Sequence, residues 1–211
     1  MNTYFIRARR APLPVLTGRV FDPGEDRFCR EHPFAAIDCY PWDESGYRPE
    51  ARAYAAIHAD GFSVLLCAKE PRVHAETRQF GGPVYQDSCL EFFLQPFVDD
   101  GRYINLECNA QGAMLIGLGR GREDRRGPDR MPGELHLTAS LHDGAWWAVA
   151  YELPFSFLEA MFSRPFTASG EMRGNFYKCE ERTSPHFGCW NPIRVPRPDF
   201  HRPECFGRLL Y

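Results

Sequence analysis

Three short segments of this 211-residue chain place hydrogen-bonding side chains at every second position. In Cys89–Gln95, Glu91, Phe93 and Gln95 share one face of an extended strand, and Leu90, Phe92 and Leu94 share the other. In Tyr103–Asn109, the residues Tyr103, Asn105, Glu107 and Asn109 alternate with Ile104, Leu106 and Cys108. In Arg173–Cys179, Arg173, Asn175, Tyr177 and Cys179 share a side. Amide, carboxylate, phenol and guanidinium groups supply donors and acceptors in fixed directions, which suits the hydroxyls of a sugar. The plainer alternative is the solvated face of an antiparallel sheet. Lysine and glutamate pairs would fill such a face; combs without lysine favour a hydrogen-bonding floor.

Glu91 and Glu107 also fit a second chemistry, the acid and base of a glycan hydrolase, which needs two carboxyl groups across the scissile bond. Carboxylates bind sugar hydroxyls without catalysis as well. No nucleophile elbow, phosphate loop or dinucleotide fingerprint accompanies them. The expectation is therefore binding without catalysis.

A sugar ring also needs an aromatic plate for its apolar face, and the chain is rich in aromatics towards its end. Arg173–Gly207 carries Phe176, Tyr177, Phe187, Trp190, Phe200 and Phe206. Its prolines 185, 192, 196, 198 and 203 exclude a long helix or a central strand across most of it. Aromatics held on irregular backbone over a rigid scaffold suit a binding surface, and equally an arm that anchors itself to the core. Tyr85, Trp190 and Phe200 stand beside polar neighbours (Tyr85-Gln86-Asp87, Trp190-Asn191, Phe200-His201) and are the candidate plates. Trp42 lacks such company and reads as structural. His186, Cys189, His201 and Cys205 have spacing near that of zinc ligands but match no standard pattern. They form the metal or cofactor alternative. The main expectation is buried thiols, polar histidines, no metal and no cofactor.

The elements that must position these groups are mostly strands. Short runs rich in β-branched and aromatic residues lie at Pro33–Asp38, Ala51–His58, Phe62–Lys69, Cys89–Gln95, Tyr103–Asn109, Ala113–Gly119, Glu134–His142, Ala145–Leu153, Gly174–Cys179 and Gly207–Tyr211. Asp60-Gly61 and Asp143-Gly144 predict hairpins. Pro154–Phe162 reads as a helix with proline in its first turn. The sequence thus predicts an all-β chain, an antiparallel β-sandwich with one or two short helices, in a single domain over residues 1–211.

Composition narrows the partners. Lys and Arg number 25 against 28 Asp and Glu, for a net charge of −3, so no nucleic-acid partner is expected. The one basic cluster, Arg120–Arg130, is mixed with acids and reads as a solvated loop. No run approaches the roughly 18 apolar residues of a spanning helix, so no membrane partner is expected. Met1–Val15 has no secretory h-region, and the eight cysteines sit largely among apolar neighbours; a cytoplasmic protein with reduced thiols is the expectation.

Several of these segments resemble a known group. GGPVYQDSCLEFFLQP (81–96), RYINLECNAQG (102–112), AWWAVAYELP (145–154), RGNFYKCE (173–180), CWNPI (189–193) and PDFHRPECFG (198–207) are similar, in order and spacing, to the family 9 carbohydrate-binding modules. They resemble more closely the single-domain family 9-like proteins, from about Ile37 to the end. The resemblance implies an immunoglobulin-like or jelly-roll sandwich that binds a sugar, in the true modules at the reducing end of a glycan. Those modules clamp the sugar between two tryptophans. The first falls at Tyr85, just before a DS…E motif ending at Glu91; the nearest match to the second is Phe200. Polar family positions fall near Glu107 or Asn105 and near Tyr177. Together with the residue reading, this gives an expected site of Tyr85, Glu91, Asn105, Glu107, Asn109, Arg173, Tyr177, Trp190, Phe200 and His201, with a mono- or oligosaccharide as ligand.

Overall fold

The computed structural model describes residues 1–167 and 170–211. Among them thirteen strands run in chain order: β1 Thr3–Phe5, β2 Arg7–Ala8, β3 Phe34–Ala36, β4 Glu50–His58, β5 Gly61–Lys69, β6 Cys89–Gln95, β7 Tyr103–Asn109, β8 Met114–Gly119, β9 Thr138–Ser140, β10 Trp146–Pro154, β11 Glu171–Glu180, β12 His186–Cys189 and β13 Gly207–Leu210. Two short helices, α1 Arg27–Glu31 and α2 Phe155–Phe162, accompany them. One sheet has the order β1-β13-β11-β6-β7-β8, with β12 on the remaining half of the β11 edge. The other has the order β2-β4-β5-β10-β9, with β3 on β4. The chain is an all-β sandwich.

The period-2 pattern explains why the sheets stack. Leu90, Phe92 and Leu94 of β6, Ile104, Leu106 and Cys108 of β7, and Met172 and Phe176 of β11 point inward. They meet Val64, Leu66, Trp147, Val149, Tyr151 and Leu153 of the facing sheet. Each large apolar side chain buried there stabilises the fold by roughly 1.5–3 kcal/mol. One ionic group also lies on this side. Lys178 is fully enclosed, with its Nζ 3.2 Å from Glu70 Oε2 and 2.8 Å from His186 Nε2. Trp147 Nε1 donates to the same Glu70 oxygen at 2.7 Å.

The far face of β5 and β10 is covered by the N-terminal segment. Leu16, Phe21, Phe28 and Cys29 pack against Leu65, Cys67, Ala148 and Ala150. The Asp26 side chain caps α1 by accepting from Cys29 N at 3.2 Å.

Several boundaries differ from the sequence reading. Pro33–Asp38 shrinks to β3, and Glu134–His142 becomes a 3-10 turn at Gly133–Leu135 followed by β9. β1, β2, β12 and α1 were not anticipated. β1 and β2 are short parallel edge strands held by β13 and β4, a long-range pairing that leaves no local pattern. Asp60-Gly61 does join a hairpin, but Gly61 is already inside β5: a Cβ there would lie 2.6 Å from the Leu153 carbonyl oxygen. Close approach of β10, not turn geometry, requires glycine.

The largest departure concerns the outer face of β6, β7 and β11. It is not an open wet surface. Val84, Phe93, Tyr103, Tyr177, Ile193, Phe200 and Phe206 form a further apolar cluster over it, because the arm after β12 folds back across the strands. No helix among the described residues is long and apolar enough to cross a membrane.

Candidate functional site

Register places the polar combs in rows. Glu91 stands directly opposite Glu107 of β7 on one side and Tyr177 of β11 on the other. The next row holds Asn175, Phe93 and Asn105, and the row on the other side holds Cys179, Cys89 and Asn109. Directly opposed residues bring their Cβ atoms to about 5 Å, so the two carboxyl groups face one small volume.

That volume is a pocket lined by Tyr85, Glu91, Glu107, Arg122, Arg125, Cys179, Glu181, Phe187, Pro198, Asp199, Phe200 and His201. Glu91 Oε1 accepts from the Cys179 thiol at 3.0 Å. Glu107 Oε1 accepts from Asn105 Nδ2 at 2.9 Å and from the Arg125 guanidinium at 3.4 Å. Burial disfavours the charged form of both acids. It holds Glu91 well above the usual carboxylate range, aided by the neighbouring Cys179 and Glu107. It pushes Glu107 up to about 7 against the opposing pull of Arg125. Both shifts favour the protonated carboxyl, which can donate a hydrogen bond as well as accept one.

Arg125 reaches this floor because β8 has glycine on its outer face. A Cβ at Gly117 would lie 2.7 Å from Asn105 Oδ1 and 3.3 Å from Arg125 Cβ; one at Gly119 would lie 3.1 Å from Arg125 Cα. The loop after β8 turns at Asp124, whose carboxylate accepts from Arg120 N and Gly121 N. It then returns along the β8 edge through paired Leu118–Arg126 backbone hydrogen bonds. Arg125 is thereby laid across the sheet, donating to Asn105 Oδ1 at 3.0 Å. Arg122 from the same loop pairs with Asp199 at 3.2 Å on the pocket wall.

The opposite wall is the arm. Asn175, fully buried on β11, ties down its start: its Oδ1 accepts from Asn191 N at 2.8 Å and its Nδ2 donates to Asn191 O at 2.9 Å. Further along, Phe200 stacks on Tyr177 with centroids 4.1 Å apart, and the Tyr177 hydroxyl donates to Phe200 O. His201 packs on Phe93, and its Nδ1 is 2.7 Å from the Tyr103 hydroxyl. Burial, reinforced by Arg125 and Arg122, lowers its pKa to about 3, so the imidazole is neutral.

Of the expected residues, Tyr85, Glu91, Glu107, Phe200 and His201 line the pocket. Asn105 and Tyr177 lie immediately behind them. Asn109 is buried and serves the scaffold: it donates to Thr77 O and Asp87 Oδ2, both at 2.8 Å, and so holds the segment that carries Tyr85. Arg173 stands at the far end of the β11 comb, opposite Gln95 and Arg208, and does not line the pocket. Trp190 is a correction. It belongs to the core between the sheets, against Phe176 and Tyr4, because the strand pairing of β12 turns it inward.

The alternative metal set is not assembled. His186 is engaged by Lys178 and Ser184, and His201 by Tyr103, while Cys189 directs its thiol at Cys39 O. Sequence reasoning missed Arg122 and Arg125, which it treated as solvated. The alternating glycines 117, 119 and 121 were the available signal. Phe187, Cys179, Glu181, Pro198 and Asp199 were also missed as lining.

The sequence profile of carbohydrate-binding family 9 matches residues 28–211. No curated protein matches the chain. Among solved structures, a candidate carbohydrate-binding protein from Bacteroides uniformis is 28% identical, with a TM-score of 0.76 over 99% of this chain and 98% of that one. A family 9 module from Caldicellulosiruptor kristjanssonii, in complex with cellotriose, is 13% identical with a TM-score of 0.62 over 99% and 93% of the two chains. In complex with glucose it gives 12% and 0.63 over 99% and 95%.

Proposed function

Because the chain belongs to carbohydrate-binding family 9, we propose that its pocket holds a mono- or oligosaccharide over the Glu91–Glu107 pair. The observation that carries this reading is the join of two buried, directly opposed carboxyl groups with aromatic walls in one lined space. Glu91 and Glu107 exchange hydrogen bonds with hydroxyls, Arg125 donates to a ring or hydroxyl oxygen, and Tyr85, Phe187 and Phe200 cover the apolar ring face. Asn105, Asn109 and Tyr177 hold these groups in place. The Caldicellulosiruptor module of the same fold binds cellotriose and glucose, which supports a sugar as ligand class.

The reading is binding without hydrolysis, and purified protein is expected to leave aryl glycosides uncleaved. The eight free thiols support a reducing compartment, and titration of unreduced, denatured protein is expected to count close to eight. A thermal-shift screen of mono- and disaccharides tests the ligand class. A saccharide at a hundredfold excess over its dissociation constant stabilises by about 2.7 kcal/mol. A panel that shifts nothing removes the reading.

A further inference from the structure

Beneath the sugar pocket, two thiols and a carboxyl group converge. Among the described residues, Cys89, Glu91 and Cys179 are the group of three whose donor atoms lie within 4.8 Å of one another. Their convergence is built by register. Cys89 and Cys179 are directly opposed on β6 and β11, and Glu91 follows Cys89 by one pleat on the same face. Cys179 and Glu91 are already in contact, thiol to carboxyl oxygen, at 3.0 Å. All three are buried, on the most extensively paired strands of their sheet.

We propose that Cys89, Glu91 and Cys179 bind a thiophilic divalent cation of the zinc class, with its fourth coordination position open to the pocket. The donor chemistry selects the metal. Two sulfur ligands and one carboxylate oxygen fit a tetrahedral zinc-class ion and not calcium or magnesium, which take oxygen ligands. Ligand bonds of about 2.0–2.3 Å at tetrahedral angles place donors of one ion about 3.3–3.8 Å apart, so donors now within 4.8 Å of one another need to close by about 1 Å. The open position follows from placement. Cys179 and Glu91 line the pocket while Cys89 lies behind them, so protein supplies three ligands from below and the pocket admits the fourth from above. Uptake of the ion releases the protons of both thiols and of the Glu91 carboxyl to solvent, and the resulting thiolates and carboxylate bring three negative charges to a divalent ion. The Arg125 guanidinium beside Glu107 offsets the excess. Uptake of the ion needs no sugar, but Glu91 also faces the pocket proposed for the sugar, so a bound ion takes this carboxylate from the hydroxyls.

Cobalt(II) is the probe, because its thiolate charge-transfer bands and the visible bands of tetrahedral coordination report sulfur ligation directly. Reduced wild-type protein, without sugar, is expected to take up one equivalent with both band sets, and zinc is expected to bleach them. Cys179→Ser should weaken the affinity by more than about tenfold and diminish the charge-transfer band, whereas Cys189→Ser, outside the cluster, should change neither. Should Cys179→Ser fail to fold, Glu91→Gln serves in its place: it keeps both thiols, and it should weaken binding while retaining charge transfer. Absence of thiolate bands in wild type overturns the proposal. So do bands unchanged by Cys179→Ser or Glu91→Gln, or abolished by Cys189→Ser.

Discussion

Glu91 and Glu107 face each other across adjacent antiparallel strands, both essentially buried, and burial raises the pKa of both acids. Ordinary sheet surfaces keep like charges apart. Here the two acids are set in register and then roofed by the C-terminal arm, and the arrangement carries most of the functional argument.

Stability should fall as pH rises. Glu107 has a folded-state pKa of about 7 against an ordinary 4.5, so between those values the folded state holds a proton that the unfolded state has lost. Over that window unfolding free energy decreases by about 1.4 kcal/mol per pH unit for each such proton. Burial raises the Glu91 pKa as well, so this carboxyl adds to the decline in the same direction. Chemical denaturation in chelator-treated buffer across this range should show the decline in wild type and a shallower one in Glu107→Gln. A flat wild-type profile contradicts it.

Arg125 should tune Glu107. Its guanidinium is the main charge opposing the upward shift. Arg125→Ala is expected to move the Glu107 titration upward, read by carboxyl-detected NMR, and to weaken sugar binding by roughly 1–3 kcal/mol, the scale of a hydrogen bond to a charged group. Gly117→Ala should reproduce both effects in part, since its new methyl group intrudes between Asn105 and Arg125. An unmoved Glu107 titration in both variants counts against the assigned contact.

Tyr85 and Trp190 should separate binding from folding. Tyr85 is 37% exposed at the pocket mouth, while Trp190 is buried between the sheets. Tyr85→Ala should alter stability by no more than about 0.5 kcal/mol yet cost most of the sugar affinity. Trp190→Ala should cost about 3–5 kcal/mol of stability. The reverse assignment in paired denaturation and titration experiments would falsify this division.

The arm should depend on Asn175. Its two hydrogen bonds to the Asn191 backbone are the buried tether at the start of the segment. Asn175→Ala is expected to raise amide exchange across residues 192–206 while β6 and β7 remain protected, with weaker sugar binding as a consequence. Uniform exchange changes would point to global destabilisation instead.

The sequence was most legible where one strand carried its own pattern. The alternation in Cys89–Gln95 and Tyr103–Asn109 identified their core faces and placed Glu91 and Glu107 together on the other. It could not tell whether that face was wet or roofed, because the roof is an irregular arm whose course depends on the Asn175–Asn191 contact and on the Tyr177–Phe200 stack. Trp190 misled for the same reason: its polar neighbour Asn191 tethers the arm and lines nothing. Arg125 was illegible among its charged neighbours, since its role arises from Gly117 and Gly119, three-dimensional spacers that read in sequence only as small residues. The metal-like spacing of His186, Cys189, His201 and Cys205 was a sequence coincidence, whereas Cys89 and Cys179, ninety residues apart in the chain, meet through strand pairing.

The central claim is that a sugar sits over the Glu91–Glu107 pair between aromatic walls. Calorimetric titration of wild type, Tyr85→Ala and Glu107→Gln with a panel of mono- and disaccharides tests it most directly. The account predicts one-to-one binding of at least one saccharide to wild type, weakened about tenfold or more, or about 1.4 kcal/mol, in each variant. Saccharide binding of equal strength in all three proteins, or none in wild type, would contradict it.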